Sequence, residues 1–226
     1  MKKTISLLLA NLLFVAAYGQ STLPAVSLKD IIGKHTLENH AKSIELNYTV
    51  PNEYTASPEA VGFSYTENPK ELLRSIIFAN TVTSEWTHQD GECVLFITCS
   101  GDGNTSRLID KDVSQIDRST FSLIGHNLKI VDTFKYPTTD EMEQINKAIT
   151  YWPEKKAKKT FNAQHVITYP LNEAKAVYKG KYTLVENWFI LKWGHRLSVS
   201  FLVTDNGLKN LDKYKKDIEK SFKFND

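Results

Sequence analysis

Between Leu197 and Thr204 apolar and polar residues alternate: Leu197, Val199, Phe201 and Val203 against Ser198, Ser200 and Thr204, with Leu202 the one exception. A period of two places one apolar face on a strand and none on a helix, so this run must be a strand. Upstream, Leu184 to Trp193 is rich in aromatic and branched residues and reads as a second strand, joined by Gly194-His195 as a two-residue hairpin turn. That turn predicts Ile190 opposite Val199 and Trp188 opposite Phe201, one apolar cross-strand patch. Phe189, Leu191 and Trp193 fall on the other face, which therefore needs at least partial cover.

After Thr204-Asp205-Asn206-Gly207, the residues Leu208, Leu211, Tyr214, Ile218 and Phe222 recur at helical spacing, with Asp205 and Asn206 as caps. The opposite face carries Lys209, Asp212, Lys213, Lys216, Asp217 and Lys220. Such a face suits an acidic partner, but meeting water is its ordinary role.

The N-terminus has the three parts of a secretory signal peptide: Met1-Lys2-Lys3, an apolar run from Ile5 to Ala17, and Ala17-Tyr18-Gly19 before Gln20. Cleavage is expected after Gly19, and the two-lysine start looks bacterial, which predicts a periplasmic or extracellular protein. The run is shorter than the ~20 residues of a membrane span, and no later stretch approaches that length. What remains suffices for a sizeable core. Charge is unevenly placed: residues 1–146 hold 12 Lys/Arg and 18 Asp/Glu, residues 147–226 hold 16 and 8. A polarised, nearly neutral chain can dock to itself or to a charged partner, or its two halves can face each other across the fold.

Cys93 and Cys99 lie six apart in Glu92 to Ser100, a run apolar on both faces that reads as a central strand. In a strand their Cα atoms are about 20 Å apart, too far for a disulfide, so buried free thiols are expected. Thr81 to His88 pairs with this strand through a turn at Asp90-Gly91.

Further strands are read at Ser43 to Val50, Phe63 to Thr66, Phe121 to Phe134 around Gly125-His126-Asn127, and Gln164 to Tyr169; short or weak helical patterns occupy Leu28 to Ile32 and Arg107 to Arg118. A helix starting at Pro69 runs to about Ala79. Thr138 and Glu141 have capping-box spacing, followed by a stripe of Met142, Ile145, Ile149 and Trp152 that Pro153 stops. Glu154 to Lys159, with four lysines and no apolar periodicity, reads as an exposed loop or linker. Hairpin, Gly-containing loop and helix occur in that order twice, Trp86 to Phe121 and Trp188 to Phe222; this hints at an internal pseudo-repeat, although a common grammar reused by chance accounts for it better.

Chemistry is harder to find. The six histidines are scattered, His35 and His40 being five apart, and no zinc-ligand spacing, Gly-x-Ser-x-Gly elbow or phosphate-binding loop occurs. Asp102 to Asp110 imitates a calcium loop but has Arg107 and Val113 where glycine and glutamate belong, so it reads as a turn. A thiol nucleophile, Cys93 or Cys99 with His88 or His126 as base, is disfavoured by burial in an apolar strand. The basic C-terminal half interleaves aromatics with lysines, a mixture suited to nucleic acid, glycans or an acidic protein, but alternate aromatics on a strand are ordinarily core and export argues against nucleic acid. Trp193, His195 and Arg196, at the hairpin tip, are the expected points of ligand or partner contact.

The hairpin ending Phe201-Leu202-Val203-Thr204, followed by a helix ending Ile218-Glu219-Lys220-Ser221-Phe222, resembles the tail of Mog1/PsbP-like α/β sandwich modules. The resemblance covers the last fifth of the chain and brings no site residue with it. It implies an antiparallel sheet flanked by helices and an adaptor or assembly role without catalysis. Together these readings predict an α+β fold with an antiparallel sheet of about six or more strands flanked by amphipathic helices, in a single domain over residues 20–226. The one place for a sub-boundary is the lysine-rich loop 153–160. The expected function is a secreted non-catalytic binding or interaction module, without cofactor or metal. The alternatives are an exported hydrolase lacking a recognisable motif and a carrier of a small apolar ligand.

Overall fold

Every residue from Cys93 to Cys99 is buried, so the strand they form must be covered on both faces and paired on both edges. In a computed structural model, which describes residues 36–57, 83–101, 118–131, 136–171 and 178–226, that strand is β4 (Cys93–Gly101). It pairs antiparallel with β3 (Ser84–His88) on one side and β8 (His195–Val203) on the other. The seven-stranded sheet continues outward through β2 (Tyr54–Ala56) beyond β3, and through β7 (Thr183–Lys192), β6 (His165–Pro170) and β5 (Thr150–Tyr151) beyond β8. A second, two-stranded sheet joins β1 (Leu46–Tyr48) to β9 (Phe222–Phe224).

The sheet separates two hydrophobic clusters. On the first face Cys93, Leu95, Ile97, Leu197, Val199, Phe201, Trp188 and Ile190 pack under helices α1 (Leu37–Ser43), α4 (Glu154–Phe161) and α5 (Leu211–Ser221). On the second, Val94, Phe96, Ile167, Tyr169, Phe189 and Leu202 pack under α2 (Arg118–Asn127) and α3 (Thr139–Ala148). The architecture is α+β, helices on both faces of an antiparallel sheet, as the strand patterns require. Both hairpins, the central position of β4, the strand at β6 and the covered second face agree with the sequence reading. So does the capping box: Glu141 N–H donates to Thr138 Oγ1 and Thr138 N–H to Glu141 Oε2.

Several elements differ. The β7–β8 turn is Trp193-Gly194, so Ile190 faces Leu197 and Trp188 faces Val199, two residues from the expected register. A two-residue slip keeps every side chain on its own face, and Trp188 still reaches Phe201 diagonally, ring centroids 5.1 Å apart. A bulge between Leu184 and Glu186 shifts the register by one residue at the other end of the ladder. Residues 121–127 are helical instead of extended: Phe121, Ile124 and Leu128 recur at helical spacing, and the glycine that reads as a strand break is a contact point. A Cβ on Gly125 would sit 2.7 Å from both Ile145 Cδ1 and Val131 Cγ2, so α2 and α3 approach through it.

Residues 154–161 form α4, not a loop. Two buried residues four apart, Ala157 and Phe161, are enough to seat a helix in which four of the other six positions are lysine. α3 stops at Ala148, so Trp152 leaves the stripe of Met142, Ile145 and Ile149 and joins the first-face cluster instead. Ser43 ends α1 and the strand near it shortens to Leu46–Tyr48. The C-terminal helix begins at Leu211 without a side-chain cap: Asp205 and Asn206 are exposed ahead of it, Thr204 Oγ1 accepts the Gly207 N–H at the preceding 3-10 turn, and Leu208 lies in that turn, 53% exposed. Rotation about the sheet normal relates the hairpins β3–β4 and β7–β8, but α2 and α5 lie on opposite faces, which that rotation cannot produce. The pattern reused twice is thus grammar. The strand at 63–66, the helices at 28–32, 69–79 and 107–118, the calcium-like loop and the N-terminal segment lie outside the described residues.

Candidate binding site

At the β7–β8 tip, Trp193 and Gly194 both have left-handed backbones, φ 50° and 78°, as a two-residue turn matched to strand twist requires. Asparagine or glycine is the usual occupant of the first position, and a bulky aromatic there is a genuine outlier. The turn is held by its neighbour: Trp193 N–H donates to Gln164 Oε1 at 2.9 Å, and Gln164 N–H donates to Leu191 O at 2.9 Å. The indole remains 58% exposed.

Although adjacent in sequence, Trp193, His195 and Arg196 do not converge. His195 turns to the first face, its Nδ1 buried without a hydrogen-bond partner among the described residues; a Cβ on Gly101 would lie 3.2 Å from that nitrogen. Arg196 turns to the second face, its guanidinium carbon 5.3 Å from the Phe189 ring centre. The exposed surface at the tip therefore belongs to Trp193.

Two buried polar clusters escaped sequence reasoning. Near the β3–β4 turn, His88 lies 97% buried between the rings of Tyr54 and Tyr214, at 4.9 and 5.0 Å. Lys213 Nζ, which can only donate, stands 3.4 Å from His88 Nε2. That assigns the proton to Nδ1, directed at Asp90 Oδ1 2.8 Å away, so the Asp90 N–H at 3.2 Å from the same nitrogen finds no lone pair in this tautomer. Partial burial raises the Asp90 carboxyl, but bonds from the Glu92 N–H, Tyr214 hydroxyl and His88 outweigh it and hold the carboxyl below its ordinary value.

Cys93 shares this face and is fully buried. Burial pushes its thiol far up, and the Asp90 and Asp217 carboxylates push it further, so no thiolate forms beside the imidazole. Burial alone lifts Cys99 to about 12. His126, the other candidate base, sits in α2 across the sheet from both thiols. Cys93 and Cys99 are free, as their strand spacing predicts.

Beneath α2, Tyr169 of β6 receives two amide donors at its hydroxyl, Asn127 Nδ2 at 2.7 Å and Asn187 Nδ2 at 2.6 Å. Asn187 Oδ1 in turn accepts from Ser200 Oγ at 2.7 Å. Burial raises the Tyr169 hydroxyl to about 12, with both amides and Arg196 pulling the other way. A usable signal for this network was Asn187, Ser198 and Ser200 occupying one face of strands that need cover on both sides. Both clusters lock elements together: the Tyr169 network is buried, and His88 is buried beneath the exposed Asp90 and Lys213; the tip is taken as the candidate site. Among the described residues no three His, Cys, Asp or Glu side chains are placed to hold a metal ion, and no helix is long and apolar enough to cross a membrane.

No protein-family model and no curated protein sequence matches the chain. Among solved structures, the solution structure of cyanobacterial PsbP (CyanoP) from Synechocystis sp. PCC 6803 is similar to it, with a TM-score of 0.43 at 9% identity, covering 81% of this chain and 88% of that one.

Proposed function

We propose that this chain is an exported, non-catalytic binding module that meets its partner through Trp193 at the β7–β8 tip, with His195 and Arg196 shaping the two sides of that tip. The observation that carries the reading is the backbone of Trp193: an exposed aromatic kept in a left-handed conformation where asparagine would be cheaper. Strain retained at an exposed residue is accounted for by use, and aromatic anchors are the commonest use at interfaces. Export rests on the signal-like segment at residues 1–19, and the mature N-terminus is expected at Gln20.

A photo-crosslinking phenylalanine derivative placed at position 193, and as control at the comparably exposed Leu208, tests the contact in the source cells. A discrete adduct from position 193 and none from 208 supports the reading. Equal adducts, or none from 193, overturn it, as does labelling of the purified protein by serine- or cysteine-directed probes.

A further inference from the structure

We propose that copies of this chain assemble head to tail, the lysine-covered layer of α4 and α5 in one copy resting on the acidic, tyrosine-flanked α3 of the next. Charge that is uneven along the sequence becomes polarity across the sheet. α4 carries four lysines and one glutamate and lies on the first face; α3 carries two glutamates and an aspartate against one lysine and lies on the second. With the sheet between them, these surfaces cannot neutralise each other within one molecule.

Among the described residues the basic layer is compensated only in part, α5 carrying Asp212, Asp217 and Glu219 beside its four lysines. Lys155, Lys158 and Lys159 are exposed, three and four residues apart on one side of α4, where like charges repel. Lys155 also stands in the first turn, against the helix dipole. Among the described residues none of the three forms an ion pair, whereas Lys156 lies 3.4 Å above the Trp152 ring and 3.1 Å from Glu219 of α5. That bridge ties the two helices together, and α5 extends the surface with exposed Lys216 and Lys220.

On the far side, Asp140 and Glu143 of α3 are exposed, Glu143 with Lys147 of the next turn 4.0 Å away, and Tyr136 and Tyr151, 64% and 43% exposed, stand before and after the helix. They are two of four large apolar side chains exposed among the described residues. Carboxylates beside open aromatic faces are what an ammonium-rich helix fits, by charge and by cation–π contact. Because each copy bears the two surfaces on opposite sides, the contact is heterologous and propagates into open chains. Its attraction is screened within about 10 Å at 0.1 M salt, so assembly must be salt-sensitive.

Sedimentation velocity of the purified protein tests this. A sedimentation coefficient that rises with concentration at low ionic strength and falls to the monomer value at high salt is expected. A monomer throughout overturns the proposal. Two variants, Lys155→Gln/Lys158→Gln/Lys159→Gln and Asp140→Asn/Glu143→Gln, each lose the charge of one surface without creating its opposite, and both keep the Thr138–Glu141 cap of α3. Each alone should be monomeric, and their equimolar mixture should form a pair that stops at the dimer. Association of either variant alone, or failure of the mixture to pair, overturns it. Flotation with phosphatidylglycerol vesicles at salt concentrations where no self-association occurs would assign the basic layer to a lipid surface instead.

Discussion

At Trp193 the left-handed backbone costs about 1–2 kcal/mol for a residue with a Cβ, and asparagine tolerates that conformation better. Trp193→Asn should therefore leave stability unchanged or raise it by up to about 1 kcal/mol in urea denaturation, since the indole is more exposed than buried. A loss beyond that would show the ring to be a packing residue, with no strain left for a partner to explain. Cys99 and Tyr169 carry a pH signature. Burial raises both to about 12, above ordinary values of about 8.5 and 10, so the unfolded chain ionises first as pH rises. Their contribution is full below about pH 8.5 and declines between there and about pH 12, each group by about 1.4 kcal/mol per pH unit over its own window. Denaturant midpoints between pH 8 and 11 should fall, and Cys99→Ala should flatten the first part of that fall whatever it does to absolute stability; an unchanged slope would sink the account. That both thiols are unpaired was legible from strand spacing, and that they are buried from the run apolar on both faces. The partners of His88 were not, because Asp90, Lys213 and Tyr214 reach it from a turn and from a helix more than 120 residues away.

At the level of elements, α2 and α3 meet through Gly125. Gly125→Ala gains helix propensity of about 1 kcal/mol but forces Ile145 and Val131 aside, a repacking that typically costs 1–3 kcal/mol. A net loss is expected, and Ile145→Val, which removes the Cδ1 in the way, should recover part of it. Additive effects of the two substitutions in a double-mutant cycle would rule out this contact as the cause. On the same face of the sheet, Glu85 is buried and accepts from Tyr178 OH at 2.5 Å and Lys179 Nζ at 2.8 Å, pinning the turn before β7 to β3. Glu85→Ala should cost about 1.5–3 kcal/mol and speed hydrogen exchange at the Tyr178 and Tyr182 amides; unchanged exchange there would contradict the pinning. Strands with strict alternation were readable because period two has one interpretation. α2 was not, because a glycine, a histidine and an asparagine in a row imitate a turn, and α4 was not, because two apolar residues make no visible period. The hairpin register was missed by two residues because the turn accepts a tryptophan where sequence reasoning expects glycine to come first.

For the molecule as a whole, the two clusters are built from alternate residues of the same strands, so neither face can melt while the other stays intact. Tryptophan emission reports the first face, where Trp86, Trp152 and Trp188 lie, and amide exchange in α2 and α3 reports the second. Their unfolding transitions should coincide, and two separated midpoints would show the layers to be independent. The layer order was foreseeable from strands apolar on both sides, but the two-stranded sheet was not, since three-residue strands carry too few positions to declare a period. In that small sheet Leu46 pairs with Phe224 and Asn47 with Lys223, and Asn225 N–H donates to Glu45 O at 2.8 Å. The first and last strands of the described fold are therefore partners, and β4 too waits for β8. A chain delivered from its N-terminus, by a ribosome or through a pore, leaves one edge of β4 open until β8 emerges and β1 without its partner until the last strand does. Closure is then a single late event, and the nascent chain remains threadable for nearly its whole length.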